Sequence, residues 1–425
     1  FYPQPDDVDA DQLMRQANAA MYEAKLYGTN QFRIYDPRRD RSVRGRHEEI
    51  DRIHRALLNH ELVLHYQPLV NMASGQVIGA EALIRWQHPQ RGLLPPGLFL
   101  PIIEDHDLII EVGDWVMETA YAQSKAWAAE GLRIPVSVNV SARQLDQRDF
   151  VDRLQSLLAR YPDPDPSLLE IEVLETSALQ EVARVSEVLT ACRRLGISVA
   201  IDDFGTGYSS LTYLKRLPFT VLKIDQGFVR DMLDDPDSLA ILQGIVGLAF
   251  AFRRTPVAEG VESVEHGVLL LKLGCLHGQG YGIARPAPAQ DLRRWLDHWK
   301  PDPRWTAVRP ISQQNWSVLV AETELHAWNL AFEEFVTGRR AAPPELDEAC
   351  CRFGMWLDAE RYGTRATLQA FQDLRGLHHR SHLRAQQAVA AKAQGLADKA
   401  VVLMRETLAF RAQVLEKLKE AGEWQ

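Results

Sequence analysis

Between about residues 48 and 299, short β-branched runs alternate with amphipathic helical stretches, and few architectures accept that rhythm. The strand-like runs fall at 62–66, 77–84, 134–140, 168–174, 197–201, 221–224 and 255–257. Helical patterns at 109–130, 150–160, 181–195 and 238–252 separate most of them. Strand–helix alternation sustained over about 250 residues predicts a parallel sheet closed as a (β/α)8 TIM-like barrel, an α/β fold. The first two runs break the rule. They are joined by a hairpin-length turn at 71–75 with no helix, which predicts one antiparallel strand.

The flanks differ. Residues 1–36 open with an acidic loop, a helix pattern at 11–27 and a short strand at 31–35, too little to bury a core alone. The stretch 37–47 is rich in arginine and is expected to be a solvated linker. Pro301, Pro303 and Pro310 mark a second linker at 300–313. Helical patterns then follow at 314–337, 345–359, 364–392 and 396–421, which predicts an all-α four-helix bundle at 314–425. The chain begins with Phe1 and carries no signal peptide, so a longer parent protein is expected.

Composition narrows the chemistry. The net charge of −9 argues against a DNA- or RNA-polymer binder, which needs a basic face. Four cysteines, two of them adjacent, make a poor disulfide framework and suit a reducing compartment. No run of about 18 apolar residues marks a membrane span.

Nearly every barrel run ends in a polar side chain. Glu81, Asn139, Glu172, Glu175, Asp202, Asp203, Lys223, Asp225, Glu259 and Glu262 are spread over the chain. In a barrel the C-terminal strand ends converge on one face, so these become neighbours. An oxygen-rich cluster suits Mg2+ or Mn2+ better than zinc. Two such ions can clamp the attacking and leaving oxygens of a phosphodiester, with Lys223 placed to hold or deprotonate the water and Arg85 to neutralise a phosphate oxygen.

Tyr66-Gln-Pro68, Glu81-Ala-Leu83, Asn139-Val-Ser141, the run from Asp202 to Leu211, Lys223-Ile-Asp225, Glu259-Gly-Val-Glu262 and Gly278-Gln-Gly-Tyr281 together resemble the EAL-domain phosphodiesterases over residues ~50–298. That family hydrolyses the bacterial second messenger cyclic di-GMP to linear pGpG. The resemblance implies that Glu81, Asn139, Glu172 and Asp202 hold one metal. Asp202, Asp203 and Glu259 would serve a second, with Lys223 positioning the water. Glu175 and Glu262 would support the loop 204–211, which couples metal binding to dimerisation in relatives. Gln67, Leu83, Arg85, Asp225, Gln279 and Pro286 would contact the nucleotide. The same resemblance implies a cytoplasmic bacterial homodimer, with a membrane anchor upstream in a longer parent protein as the alternative. Intact carboxylates argue against the alternative of a receptor that binds without cutting. Asn18–Lys25 and Gly28-Thr-Asn30 resemble the closing helix of a GGDEF cyclase domain, whose signature is absent here.

In the C-terminal helices, His378 and His382 stand four apart on one helix face and can grip a single metal. With Cys351 and His326 they offer a His3Cys set suited to tetrahedral Zn2+. The set resembles the chemoreceptor zinc-binding (CZB) domain, a four-helix zinc sensor. Appended to a phosphodiesterase, such a bundle suggests regulation of the barrel, with a structural zinc that merely holds the bundle together as the alternative. The usual His-x-x-Trp spacing is replaced by His326-Ala-Trp328, and His379 is an alternative to His378. A third possibility is a zinc-sensing interaction module beside an idle barrel.

Overall fold

The computed structural model describes Met14 and residues 37–180, 182–207, 215–312, 315–361 and 368–421. The cyclase-like remnant expected at 1–36 lies outside these, Met14 apart.

Two compact units divide the chain. In the first, residues 1–64 and 84–116, the basic stretch expected to be a linker is helical and opens α1 (Pro37–Leu58). Proline suits the first helical turn, where its missing N–H costs nothing, and arginine is a good helix former. Ile53 and Ala56 of α1 are buried. The far end of β2 (Val77–His88) pairs antiparallel with β3 (Gly92–Leu94), a short strand not anticipated from sequence. Trp86 donates to Glu61 Oε2 at 3.0 Å and meets Phe99 edge-on. The helix α2 (Leu100–Ile103) and the start of α3 (Leu108–Ala129) complete this unit.

The second unit, residues 65–83 and 117–425, contains most of a closed eight-stranded barrel. Besides β1 (Leu62–Asn71) and β2, its strands are β4 (Val136–Asn139), β5 (Leu169–Leu174), β6 (Ser198–Phe204), β7 (Val221–Ile224), β8 (Thr255–Ala258) and β9 (His277–Gly278). The pairing order β1-β9-β8-β7-β6-β5-β4-β2 closes through β1–β2. All neighbours from β2 round to β9 are parallel, whereas β1 runs antiparallel to β9. The expected single antiparallel strand is therefore β1, turned at Gly75, whose positive φ of 74° closes the hairpin.

Strand β5 shows how the interior is filled. Leu169, Ile171 and Val173 are fully buried, and by the two-residue period they point away from Glu170 and Glu172. Glu172 meets Lys223 of β7, which also reaches Glu81 of β2. Strands that are not neighbours in the sheet meet only across the lumen, so these acids face inward. A polar barrel interior is a departure from the usual packed Val/Ile/Leu layers.

The helices on the outside include α4 (Ala142–Leu145), α5 (Phe150–Ala159), α6 (Glu175–Gln180), α7 (Val182–Arg194), α8 (Gln226–Asp231), α9 (Pro236–Ala251), α10 (Val264–Lys272) and α11 (Ala289–Leu296). The proline-marked segment after α11 is docked against the barrel. Its α12 (Pro303–Ala307) carries Trp305, which is buried, donates to Val264 O at 2.8 Å and lies against Gly267. Four helices then form the bundle: α13 (Trp316–Thr337), α14 (Arg352–Glu360), α15 (Gln369–Ala393) and α16 (Ala397–Ala421). Val318, Leu325, Phe353, Phe371, Leu374 and Val414 make one core, and Phe332, Ala385, Ala388, Leu403 and Met404 another. Helix α14 starts at Arg352, later than the periodicity suggested, because Cys351 caps it. No helix among the described residues is long and apolar enough to cross a membrane.

Candidate metal centres

The barrel site is organised around Lys223. Its Nζ lies 2.7 Å from Glu172 Oε2, 2.7 Å from Glu259 Oε1, 3.3 Å from Asp202 Oδ1 and 3.4 Å from Glu81 Oε2. Register explains the convergence. Asn139 pairs with Glu172, Leu174 with Asp202 and Ile224 with Ala258, so strand ends far apart in sequence lie side by side in the sheet. Glu81 lies mid-strand, not at a strand end, because β2 runs on to His88 to pair with β3. Glu81 accepts from Asn139 Nδ2 at 2.8 Å and from Gln279 Nε2 at 2.6 Å. Gln279 also donates to Gln67 Oε1 at 3.0 Å, and Gln67 donates to Ala284 O.

The neighbours Asp202 and Asp203 should face opposite sides of a regular strand. The β6–β7 register shifts between Ile201 and Phe204, and Asp203 takes a left-handed φ of 52°. Aspartate tolerates that conformation better than most residues. The bulge brings oxygens of Asp202, Asp203 and Glu259 all within 4.8 Å of one another.

Electrostatics follow burial. Burial pushes Glu172 and Asp202 above the usual carboxylate range, reinforced by the charge on Glu81. Burial likewise raises Asp203 to about 6 and Glu259 to about 8. Burial works in the same direction on Glu81, but Lys223 and the donors Gln279 and Asn139 outweigh it and hold that carboxyl low. For Lys223, burial opposes the ammonium, yet Glu172, Glu259, Glu81 and Asp202 together hold it well above its ordinary value. One ammonium thus faces a larger number of buried acids. A divalent cation would fit that excess, and the all-oxygen donor set suits Mg2+ or Mn2+.

Other expected residues fall as follows. A cleft of about 230 Å3 opens beside Glu81, Asp202 and Glu259, with Gln67, Leu83 and Gln279 on its wall. Asp225 caps α8 by accepting from Gly227 N at 2.9 Å. Glu175, buried, accepts from Gly205 N at 2.8 Å and so braces the start of the loop at 204. Residues 208–214 of that loop lie outside the described residues. Glu262 lines the cleft; its N–H donates to His266. Arg85 donates from Nη1 to Ile84 O, and the Pro286 carbonyl lies 3.4 Å from His65 Nδ1. Sequence reading missed Glu170, buried in the lumen, and Gln226 and Tyr281 on the cleft wall. The i, i+2 spacing of Glu170 and Glu172 was a usable signal for the first.

Residues 50–286 match the EAL domain family. The chain belongs to that family. The EAL region is 40% identical over 293 residues to the bifunctional diguanylate cyclase/cyclic di-GMP phosphodiesterase MucR of Pseudomonas aeruginosa, covering 69% of this chain and 42% of that protein. It is 37% identical over 291 residues to the cyclic di-GMP phosphodiesterase PdeR of Escherichia coli, covering 68% and 44%. The chain therefore spans only about two fifths of the length of these relatives. A solved structure of the PaMucR phosphodiesterase in complex with c-di-GMP superposes with a TM-score of 0.56 at 42% identity, over 58% of this chain and 99% of that one.

A second cluster sits in the helical region behind the EAL barrel. Cys351, His378 and His382 are all buried and offer ligand atoms within 4.8 Å of one another. Cys351 Sγ lies 3.2 Å from His378 Nε2 and accepts from Gly354 N as the N-cap of α14. His382 Nδ1 lies 3.0 Å from Leu346 O; a carbonyl only accepts, so the proton is on Nδ1 and Nε2 keeps its lone pair. Burial holds His378 neutral, down to about 3, and lowers His382 as well. Two neutral imidazoles and a thiol fit zinc. His379 faces elsewhere, 2.8 Å from Glu348. His326 is not brought to the cluster: its Nε2 contacts Asp234 at 3.1 Å and its Nδ1 faces Arg411. Residues 326–389 match the chemoreceptor zinc-binding domain.

Proposed function

We propose that the barrel hydrolyses cyclic di-GMP to linear pGpG with two Mg2+ or Mn2+ ions, and that zinc in the C-terminal bundle regulates the rate. The observation that carries the first part is the meeting of Glu81, Glu172, Asp202 and Glu259 around Lys223 at the floor of an open cleft. In this reading Glu81, Asn139, Glu172 and Asp202 hold one ion, and Asp202, Asp203 and Glu259 the other. When bound, the ions would polarise the phosphoryl oxygen and acidify the attacking water.

The protein groups do the rest. Lys223, an ammonium among acids, orients water by donating to it. Gln67 and Gln279, locked together and to Glu81, present a rigid amide wall to the nucleotide. A new O–P bond forms from water, the bond from phosphorus to O3′ breaks, and O3′ takes the proton. Arg85, Asp225, Leu83 and Pro286 complete substrate contacts in this reading, and Glu175 and Glu262 support the loop from 204 and a homodimer formed through it. Incubation with cyclic di-GMP and Mg2+, followed by chromatography of the product, tests the proposal: pGpG must appear, and its absence would defeat it.

Regulation by zinc is supported by one bridge. Arg352, next in sequence to Cys351, makes a two-pronged ion pair with Asp237 of α9, at 2.6 and 2.8 Å. Asp237 lies in the first turn of α9, two residues after its Asp235 cap, and α8, which precedes that helix, begins directly after Asp225. The pair is exposed and worth at most about 1 kcal/mol to stability. Its expected value is in coupling. In Arg352→Ala, zinc affinity should stay within about threefold of the parent. The ratio of turnover with zinc to turnover with zinc chelated should move toward one. An unchanged ratio would remove the bridge from the pathway.

A further inference from the structure

The His–Cys centre differs from a closed tetrahedral site in one respect. Three of its candidate ligands are assembled and the fourth, His326, is turned away. On α13, Leu325 and Trp328 share a face. Trp328 lies with its ring 4.7 Å from that of His382, and Leu325 is buried in the same core as Cys351 and Phe353. His326, one residue further round the helix, points to Asp234 and Arg411. An apolar side chain thus occupies the position on α13 that faces the cluster. A cleft of about 600 Å3 also reaches the cluster, with Cys351, His378, His382 and Leu325 on its wall.

We infer that the zinc centre of this chain takes three protein ligands, Cys351, His378 and His382, and keeps its fourth position for an exchangeable small donor entering from that cleft. The inference rests on the zinc reading above. Tetrahedral zinc with three protein ligands holds water in the open position, and another monodentate donor can replace it. Closed four-ligand centres are structural; an open one can respond to the composition of its surroundings. Leu325 caps the site without closing it, since its side chain has no lone pair to give. Binding of zinc at Cys351 releases the thiol proton to solvent.

Cobalt tests this in the full chain, with excess Mg2+ blocking the barrel. Thiolate-to-cobalt charge-transfer absorption reports Cys351 alone among the two centres, because the barrel cluster contains no cysteine. Imidazole is the probe donor. The band of the unmutated protein should shift saturably with imidazole. His326→Ala should show the same band and the same shift, with cobalt affinity within about twofold. Leu325→His, which supplies the missing ligand, should bind cobalt about tenfold more tightly and lose the response to imidazole. Cys351→Ala should lose the band while circular dichroism stays helical.

A band insensitive to imidazole in the unmutated chain would overturn the open position. Glu324 supplies a carboxylate on the wall of the same cleft, so loss of cobalt binding in His326→Ala or in Glu324→Gln would do the same, by identifying a fourth protein ligand. Absence of any thiolate band in the unmutated protein would defeat the zinc reading itself and this inference with it.

Discussion

Glu81→Ala is expected to leave a folded chain that releases pGpG at least ~10³-fold more slowly, the loss corresponding to about 4 kcal/mol of transition-state stabilisation. Glu81 is the acceptor on which Asn139, Gln279 and Lys223 all converge. Removing it takes one oxygen ligand from the proposed ion site and releases the amide that holds Gln67 and Gln279 in register. The stability cost is smaller. Two buried donors, Lys223 and Gln279, and the exposed Asn139 lose one acceptor, at roughly 1–3 kcal/mol, which a barrel of this size absorbs. Glu81→Gln separates the two effects, since it keeps an acceptor for Asn139 and removes the charge. Product chromatography and a thermal melt on each variant decide the matter. Parent-like turnover in both would show that the cluster around Lys223 is not the site of hydrolysis.

Gly280→Ala should be the most damaging small substitution in the barrel. A Cβ built on Gly280 runs into the backbone nitrogen and carbonyl oxygen of Val261, closer than side chains ever approach. The strand end there is stitched tightly: Val261 N–H donates to Gln279 O at 3.0 Å, and Gly282 N–H donates to Val261 O at 2.9 Å. A methyl group must lift residues 279–282 away from Val261. The cost is expected to be about 3 kcal/mol or more, combining overpacking with lost hydrogen bonds. Gln279 moves with the segment, so its bonds to Glu81 and Gln67 go too. A lowered melting temperature and weaker cyclic di-GMP binding should appear together. Gly244→Ala is the control: nothing lies within 4 Å of its Cβ on the helix α9. That change should be neutral or stabilising by about 0.5–1 kcal/mol. Equal melting temperatures for the two variants would show that the approach of Gly280 to Val261 has been misjudged.

The barrel was legible because each strand run carries a β-branched core of its own, and the hairpin at 71–75 announced the antiparallel β1. The two-residue β9 carried no such signal: His277 and Gly278 have no apolar run, and their pairing to β1 and β8 comes from tertiary contact. β3 is hidden for the same reason, its three residues Gly92, Leu93 and Leu94 being too few to show a period. In the site, residue types could be read but geometry could not. Two adjacent aspartates look redundant in sequence, and only the register shift brings both to one cluster. Helical periodicity predicted the bundle well, yet could not show that His326 faces Asp234. One step along a helix turns a side chain by about 100°, so a single missing residue between His326 and Trp328 is enough to carry the imidazole off the cluster.

The bulge in β6 has a consequence for how such a site could be altered. In a regular strand at this position, one of Asp202 and Asp203 would be directed to the helices outside, and the cluster would count one acid fewer. On the proposed two-ion reading, the number of ions such a barrel holds is then a property of its backbone, set by an irregularity at one peptide, before any side chain is chosen. Mutating acids one at a time tunes affinity. Straightening the strand would change stoichiometry.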